Sequence, residues 1–477
     1  MVDPSPSSVT PVEKNHSRYN QGVLSQRIFF PPTFNRPTRI AKANGPISFA
    51  HYMHLCLSHP TEGYYMNPSN AVFGSKGDFI TSPDISQLFG ELVAVWFMSR
   101  YLEAARDKAM RLVELGPGRG TLMDDMLRTL SQLRSLDKVK HVHLVETSSA
   151  LRKTQEQRLR FWAEKSHLKL VWHDSIDDIP AAEDTYTMLV AHEFFDALPV
   201  HLIEKTHQGW NEVLISSAPD LAAKNVLRPS SSSSALDLPS PAVLSSPSTS
   251  HFRPVLSETS SPISTLLGSS SSRFLSLPIG SRIEVSPVGY RIARKVGKLI
   301  GGRPDSDEEG RKELGSALII DYGGDRAYGN SFRAFKDHKI VDPFHRPGQC
   351  DLTANVDFAY LKEAMTDLLS AHFVNTYGWS RHLAPTAFDS HLPCYSATTY
   401  GPITQHDFLM RMGIGKRVED LQSKATSEGR KTTVENDAKR LVDLTGMGKE
   451  YKVLGVVSPP PAAGHMVWPF VEAEKTS

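Results

Sequence analysis

The chain has 477 residues, enough for one enlarged domain with insertions or for about two to four ordinary ones. Its 53 basic and 52 acidic residues leave a formal charge of +1, which excludes a global field that recruits nucleic acid or an anionic membrane. Cys56, Cys350 and Cys394 lie far apart with no C-x-x-C spacing, which argues against a disulfide framework or a structural zinc site, and no apolar run approaches the roughly 18 residues of a membrane span.

Residues 1–40 are rich in Ser and Pro, with Arg18, Arg27, Arg36 and Arg39 set against Asp3 and Glu13. That bias fits a mitochondrial targeting segment and equally a disordered tail. Residues 41–108 read as a helical N-terminal cover. A first helix spans Ile47 to Leu57 and stops at Ser58-His59-Pro60, because proline disfavours helix before it. A Gly- and Pro-punctuated loop follows, then a long amphipathic helix from about Asp84 to Leu102, started by Ser82-Pro83-Asp84.

Residues 109–215 alternate strand and helix patterns. An apolar run (Leu112, Val113, Leu115) meets Gly116, Gly118 and Gly120 and passes into a helix; a second strand, Val142 to Val145, ends at Glu146. A third strand ends near Trp172 before Asp174, and a fourth, about Thr187 to Ala191, ends in His192-Glu193. This rhythm predicts an α/β fold of Rossmann-like type, with a mostly parallel sheet covered on both faces and its ligand beyond the carboxyl ends of the strands. Residues 216–276, with Ser230 to Ser234 and Ser269 to Ser272, read as a Ser/Pro-rich disordered insertion that lacks the apolar surface to offset ordering entropy. The second half of the domain occupies 277–457. It contains a strand and helix from Ser281, a charged loop through Glu313, a fifth strand from Ala317 to Ile320, and loop-like residues 325–357. A helix in DLTANVDFAYLKEAM, an irregular insertion at 372–400, a helix in TQHDFLMRMGI and a last strand after Gly446 complete it, and 458–477 form a tail.

The glycine turn reads Glu114-Leu-Gly116-Pro-Gly118-Arg-Gly120 rather than the G-x-G-x-x-G of a dinucleotide fold. A carboxylate before the first glycine suits the cationic cofactor S-adenosyl-L-methionine (SAM) and would repel a pyrophosphate. Glu146 can accept from ribose hydroxyls and Asp174 from an adenine amine. Three acids at three successive strand ends favour a methyltransferase over the alternative, an NAD(P)-dependent Rossmann oxidoreductase.

The segments GDFITSPDISQLFGELVAVWF, LVELGPGRGTLMDDMLR, HLVETS, AHEFFDALPVH, DYGGD, DLTANVDF, GPITQHDFLMRMGI and GMGKEYKVL together resemble the MidA family of mitochondrial complex I assembly methyltransferases, from about Ile47 to Val457. The resemblance implies a class I SAM-dependent methyltransferase fold, SAM as cofactor, a mitochondrial matrix location, and methylation of a protein arginine on a core complex I subunit. Neither nucleic acid nor metal is expected as a partner. A scaffold of the same fold without catalysis is the alternative from another functional class.

An arginine acceptor needs carboxylates that hold its guanidinium and take up a proton, and Glu193 and Asp196 in HEFFDALP are the candidates. Phe194 and Phe195 are candidate pocket walls, His192 a candidate orienter of Glu193, and Asp321 a candidate lining of the acceptor pocket. Asp78, Thr81 and Ser82 in GDFITSP are candidates to close over the cofactor, and Arg119 reads as solvated or paired. His345 and Cys350 are too isolated to suggest a metal.

Overall fold

A computed structural model describes residues 45–67, 80–182, 184–217, 252–301, 314–344, 346–366, 397–460 and 466–471. The N-terminal segment begins with a short strand, β1 (Ile47–Ser48), before helix α1 (Phe49–Ser58). Helix starts two residues later than the apolar spacing predicts because the Ser48 hydroxyl accepts the His51 N–H at 3.0 Å and caps it. The long helix expected from Asp84 is two helices, α2 (Ser82–Ile85) and α3 (Gln87–Ala104). Ser86 separates them: its backbone is extended (φ −156°), and its hydroxyl caps α3.

The main sheet follows. Strand β2 (Ala109–Leu115) leads through the glycine turn to α4 (Thr121–Gln132), β3 (Val139–Val145) to α5 (Ser149–Ser166), and then come β4 (Lys169–His173) and β5 (Thr185–His192). All these strand pairs are parallel, in the order β5-β2-β3-β4.

After β5 the chain leaves this sheet and builds another. Strands β6 (His201–Thr206), β7 (Gly209–Ser217) and β8 (Phe252–Leu256) form an antiparallel layer. β1 pairs with β7 at Leu214 and Ile215, beyond the end of the β6 pairing, so the N-terminal segment is not simply a cover for the main sheet. The expectation of disorder across 216–276 fails for its second half: β8, α6 (Pro262–Gly268) and α7 (Ser272–Leu275) are ordered. The serines there serve as caps, Ser261 on α6 and Ser271 on α7, and Ser264 donates to the Trp210 carbonyl at 2.6 Å. Phe252, Val255, Leu267 and Phe274 are buried, and these apolar residues spaced among the serines supply the surface that composition alone hides. Residues 218–251 lie outside the described residues. β9 (Arg282–Val285) completes the second sheet beside β6, and α8 (Pro287–Gly301) leads back to the first.

β10 (Leu314–Gly324) pairs parallel with β5. Residues 325–357 are not irregular throughout: β11 (Arg333–Lys336), β12 (Lys339–Val341) and β13 (Asp351–Thr353) form a small antiparallel sheet. β14 (Val356–Asp357) pairs with the end of β10 and opens α9 (Phe358–Thr366). Of the insertion expected at 372–400, residues 372–396 lie outside the described residues, and its last three residues belong to strand β15 (Thr398–Thr404). Helices α10 (Gln405–Arg411), α11 (Ile414–Ser423), α12 (Glu428–Val442) and α13 (Met447–Glu450) precede the last strand, β16 (Tyr451–Ser458). β16 lies antiparallel between β10 and the edge strand β15, which gives the sheet arrangement of a class I methyltransferase.

Alternation along the central strands divides the core. Leu112, Met188, Val190, Leu318 and Ile320 pack with α3 and α4, whereas Val113, Leu189, Ala191, Ala317 and Ile319 pack with α8 and α9. Helix α11 is tied to α3 by Arg417, which donates to Glu91 at 2.7 Å, and α4 is tied to the same carboxylate by Arg128 at 2.6 Å. No helix among the described residues is long and apolar enough to cross a membrane.

Candidate active site

A cavity of about 320 Å³ opens beyond the carboxyl ends of β2, β3, β4 and β5. This is where the chain direction switches between neighbouring parallel strands and a crevice forms for physical reasons. Glu114, Gly116, Gly118, Glu146, Asp174, Glu193 and Asp196 all line it, together with His192, Phe194, Arg119 and Thr81. Of the predicted site residues, Gly120 does not line it; Gly120 instead starts α4 in the left-handed conformation, with φ +77°. Asp78 and His345 lie outside the described residues. Ser82 is buried against Gln405, a structural contact, and Phe195 belongs to the core under the site.

The glycine turn has positive φ at Gly116 (+65°) and Gly118 (+51°). At Gly116 a Cβ would stand 2.8 Å from Phe194 Cδ2, so the turn touches the acceptor-side segment directly. Beside it, Glu114 is buried and its Oε2 has no hydrogen-bond partner among the described residues. Burial pushes its carboxyl up to about 8, since nothing nearby compensates the charge. Glu146 accepts the Ser148 N–H at 2.8 Å and the Gln155 amide at 3.2 Å. Burial raises its pKa and these donors pull it back. Asp174 is at the rim, exposed, and paired with Arg152 at 2.6 Å.

On the other side, the turn after β5 carries the two acids expected to serve an acceptor. Glu193 has φ +49°, and its Oε1 accepts from the Tyr451 hydroxyl at 2.7 Å. Burial first, and then the charge of Asp196, raise its pKa well above the usual carboxylate range. Asp196 is raised to about 6 by burial, against the opposing pull of Arg333. Its Oδ1 is buried without a partner among the described residues, as is His192 Nε2. His192 is pushed down to about 3 by burial and is therefore neutral; its Nε2 lies 3.6 Å from Glu193 Oε1.

Asp321 does not line the cavity. Its Oδ2 accepts three successive backbone N–H groups, from Phe194 at 3.2 Å, Phe195 at 2.9 Å and Asp196 at 3.2 Å, and its Oδ1 accepts from Tyr322 at 2.9 Å. This carboxylate fixes the turn that carries Glu193 and Asp196 and is spent in doing so. Sequence reasoning missed Tyr65 and Asp351, which line the cavity and bond to each other at 2.7 Å, and Asp84, which accepts from Thr121 at the start of α4. Asp351 opens the DLTANVDF segment, so a signal was present there; Tyr65 lies in a loop that offered none.

Three unpartnered buried polar atoms, two of them carboxylate oxygens, facing one cavity suit a ligand that brings positive charge and donors. Among the described residues, no group of three His, Cys, Asp or Glu side chains could hold a metal ion.

Comparison with known proteins agrees with this geometry. Residues 92–376 match the family described as "Putative S-adenosyl-L-methionine-dependent methyltransferase". The chain is 34% identical to "Protein arginine methyltransferase NDUFAF7, mitochondrial" of Danio rerio, over 87% of this chain and 84% of that protein. It is 31% identical to the Homo sapiens protein of the same name, over 87% and 81%. In fold it is similar to a COG1565 superfamily member from Burkholderia thailandensis bound to S-adenosyl-homocysteine, with a TM-score of 0.61 and 22% identity over 89% of this chain and 91% of that one. A turn of three glycines behind a buried acid, on a sheet whose last strand runs antiparallel, thus places the chain in the MidA-like family of SAM-dependent methyltransferases to which the NDUFAF7 proteins belong.

Proposed function

We propose that this methyltransferase modifies an arginine side chain on a core subunit of complex I, early in assembly and in the mitochondrial matrix. The observation that carries the reading is the pair of acids on one turn, buried Asp196 and part-buried Glu193, facing the glycine turn across the same cavity. The relatives' names supply the arginine and the mitochondrion. The charge of the site supports a cationic acceptor.

Bound SAM supplies an electrophilic methyl group on a sulfonium. Glu114, the glycine turn, Glu146 and Asp174 are assigned to hold the cofactor: Glu114 supplies negative charge, Glu146 accepts from hydroxyls, and Asp174 sits at the rim where an amine would be received. A guanidinium is protonated and delocalised, so its nitrogen is a weak nucleophile until a carboxylate localises the charge. Asp196 holds the acceptor through its unpartnered Oδ1, and Glu193 takes the guanidinium proton as the N–C bond forms and the S–C bond breaks. Phe194, in contact range of Gly116, walls the acceptor off from the cofactor turn.

The test is tandem mass spectrometry of purified complex I core subunits incubated with the protein, with and without SAM. Methylarginine that needs both supports the reading. SAM binding by calorimetry with no methylarginine on any subunit would overturn it in favour of a scaffold.

A further inference from the structure

The residue next to Glu193 in space is remote from it in sequence. Tyr451, the first residue of β16, donates its hydroxyl to Glu193 Oε1 at 2.7 Å, and Glu193 Oε2 takes no hydrogen bond from the described residues. Tyr451 is cross-strand partner to Tyr322 on β10, with hydroxyl oxygens 2.6 Å apart and ring centroids 4.1 Å apart. A phenol has one proton. With that proton on the carboxylate, the contact between the hydroxyls is filled by the Tyr322 proton, so Tyr322 sets the direction of the chain. The Tyr451 ring also lies parallel to that of His192, at 7° and 6.0 Å. Tyr322 is itself held under the Arg333 guanidinium, 5.4 Å from its ring centroid, and Arg333 is anchored by Asn355 at 2.7 Å. The Tyr451 side chain is buried, with two rings in contact with it, and neither tyrosine lines the cavity.

The groups that face Glu193 make such a donor necessary. They are Asp196 on its own turn, Asp321 on β10, Asp351 on β13, Asp84 on α2, and neutral His192. Four acids and no cation among them push a proton onto Glu193, and a protonated Glu193 cannot accept another. We propose that Tyr451, backed by Tyr322, is the positioning residue for Glu193: it holds Oε1 in place, favours the ionised carboxylate against its acidic neighbours, and leaves Oε2 for the acceptor. This rests on the methyl-transfer reading above.

The experiment compares wild type, Tyr451→Phe and Tyr322→Phe by methylation kinetics against pH, SAM affinity by calorimetry, and infrared difference spectra of the carboxyl region referenced to Glu193→Gln. Tyr451→Phe is expected to lower kcat roughly ten- to a hundred-fold, to move the acidic limb of the pH profile up by about one unit, and to leave the SAM Kd within about twofold. A protonated-carboxyl band that disappears in the Tyr451→Phe, Glu193→Gln double variant is expected at neutral pH. Tyr322→Phe is expected to shift both readouts the same way by less. An unchanged pH limb and no new carboxyl band in a Tyr451→Phe protein that still binds SAM would overturn the proposal. So would loss of SAM affinity in parallel with kcat, which marks a merely structural residue. Absence of methylarginine with the wild type sinks the function reading instead, and the infrared comparison then still decides the role of Tyr451.

Discussion

Glu114 ties cofactor binding to pH. Its carboxyl is buried, lacks a partner on Oε2 and is held at about 8, so the cofactor-free protein at pH 7 carries it about nine-tenths protonated. A cationic ligand binds the ionised form. Removing the proton at pH 7 costs about 1.4 kcal/mol, and the apparent Kd should therefore tighten about twentyfold between pH 6 and pH 7.5. The same step releases close to one proton per ligand at neutral pH. Titration calorimetry in buffers of different ionisation enthalpy reads both quantities. Glu114→Gln should bind SAM more weakly and lose this component of the pH dependence, which separates Glu114 from the other raised acids of the site. The linkage has a sign in folding as well. The folded pKa lies above the unfolded one, so the native state binds the extra proton; that stability is fully present below about pH 4.5 and is lost as pH rises through 8, by about 5 kcal/mol in full. The stabilisation by SAM in a thermal shift should grow over the same window. A wild-type Kd flat from pH 6 to 7.5 with no proton released would refute the argument.

Gly116→Ala puts a Cβ 2.8 Å from Phe194 Cδ2 on a backbone with φ +65°, and SAM affinity measured by calorimetry should fall at least about tenfold. Asp196→Asn removes acceptor-side charge only, so SAM affinity should stay within about threefold while methylarginine formation drops about a hundredfold or more in the mass-spectrometric assay; full turnover would remove Asp196 from the mechanism. Asp321→Ala strips four backbone N–H groups of their acceptor and should cost about 3 kcal/mol or more in denaturant unfolding, with transfer lost before SAM binding. Phe274→Ala in the Ser-rich segment should cost about 3–5 kcal/mol, whereas a cost below about 0.5 kcal/mol would mean that α7 does not pack as described.

The cofactor side was legible because a parallel sheet obeys a positional rule. Glu114, Gly116, Gly118, Glu146 and Asp174 follow apolar runs short enough to be strands, and strands of one direction bring their ends to one crevice. The HEFFDA turn was found for the same reason. What was not legible depends on contacts that local pattern does not encode. Tyr451 reaches Glu193 across 258 positions, and Asp321 resembles a lining acid until its oxygens are seen filled by amides. Serine-rich composition hid β8, α6 and α7, because a serine that caps a helix and a serine in a solvated chain look alike in a count. β9 misled differently. β9 was readable as a strand, but nothing in RIEV tells a strand of the main sheet from one of the second layer.

The departure of the chain after His192 also bears on how the protein is made. β5 and β10 are hydrogen-bonded neighbours at the centre of the main sheet, yet about 120 residues separate the end of one from the start of the other. Closing a loop of that length costs about 2 kcal/mol more than closing one a tenth as long, so this pairing is the high-contact-order step of folding. Until it closes, β5, buried at every position from Tyr186 to His192 in the native state, presents an apolar edge able to template aggregation. A chain built in this way profits from a holding chaperone between synthesis and the closure of its own active site.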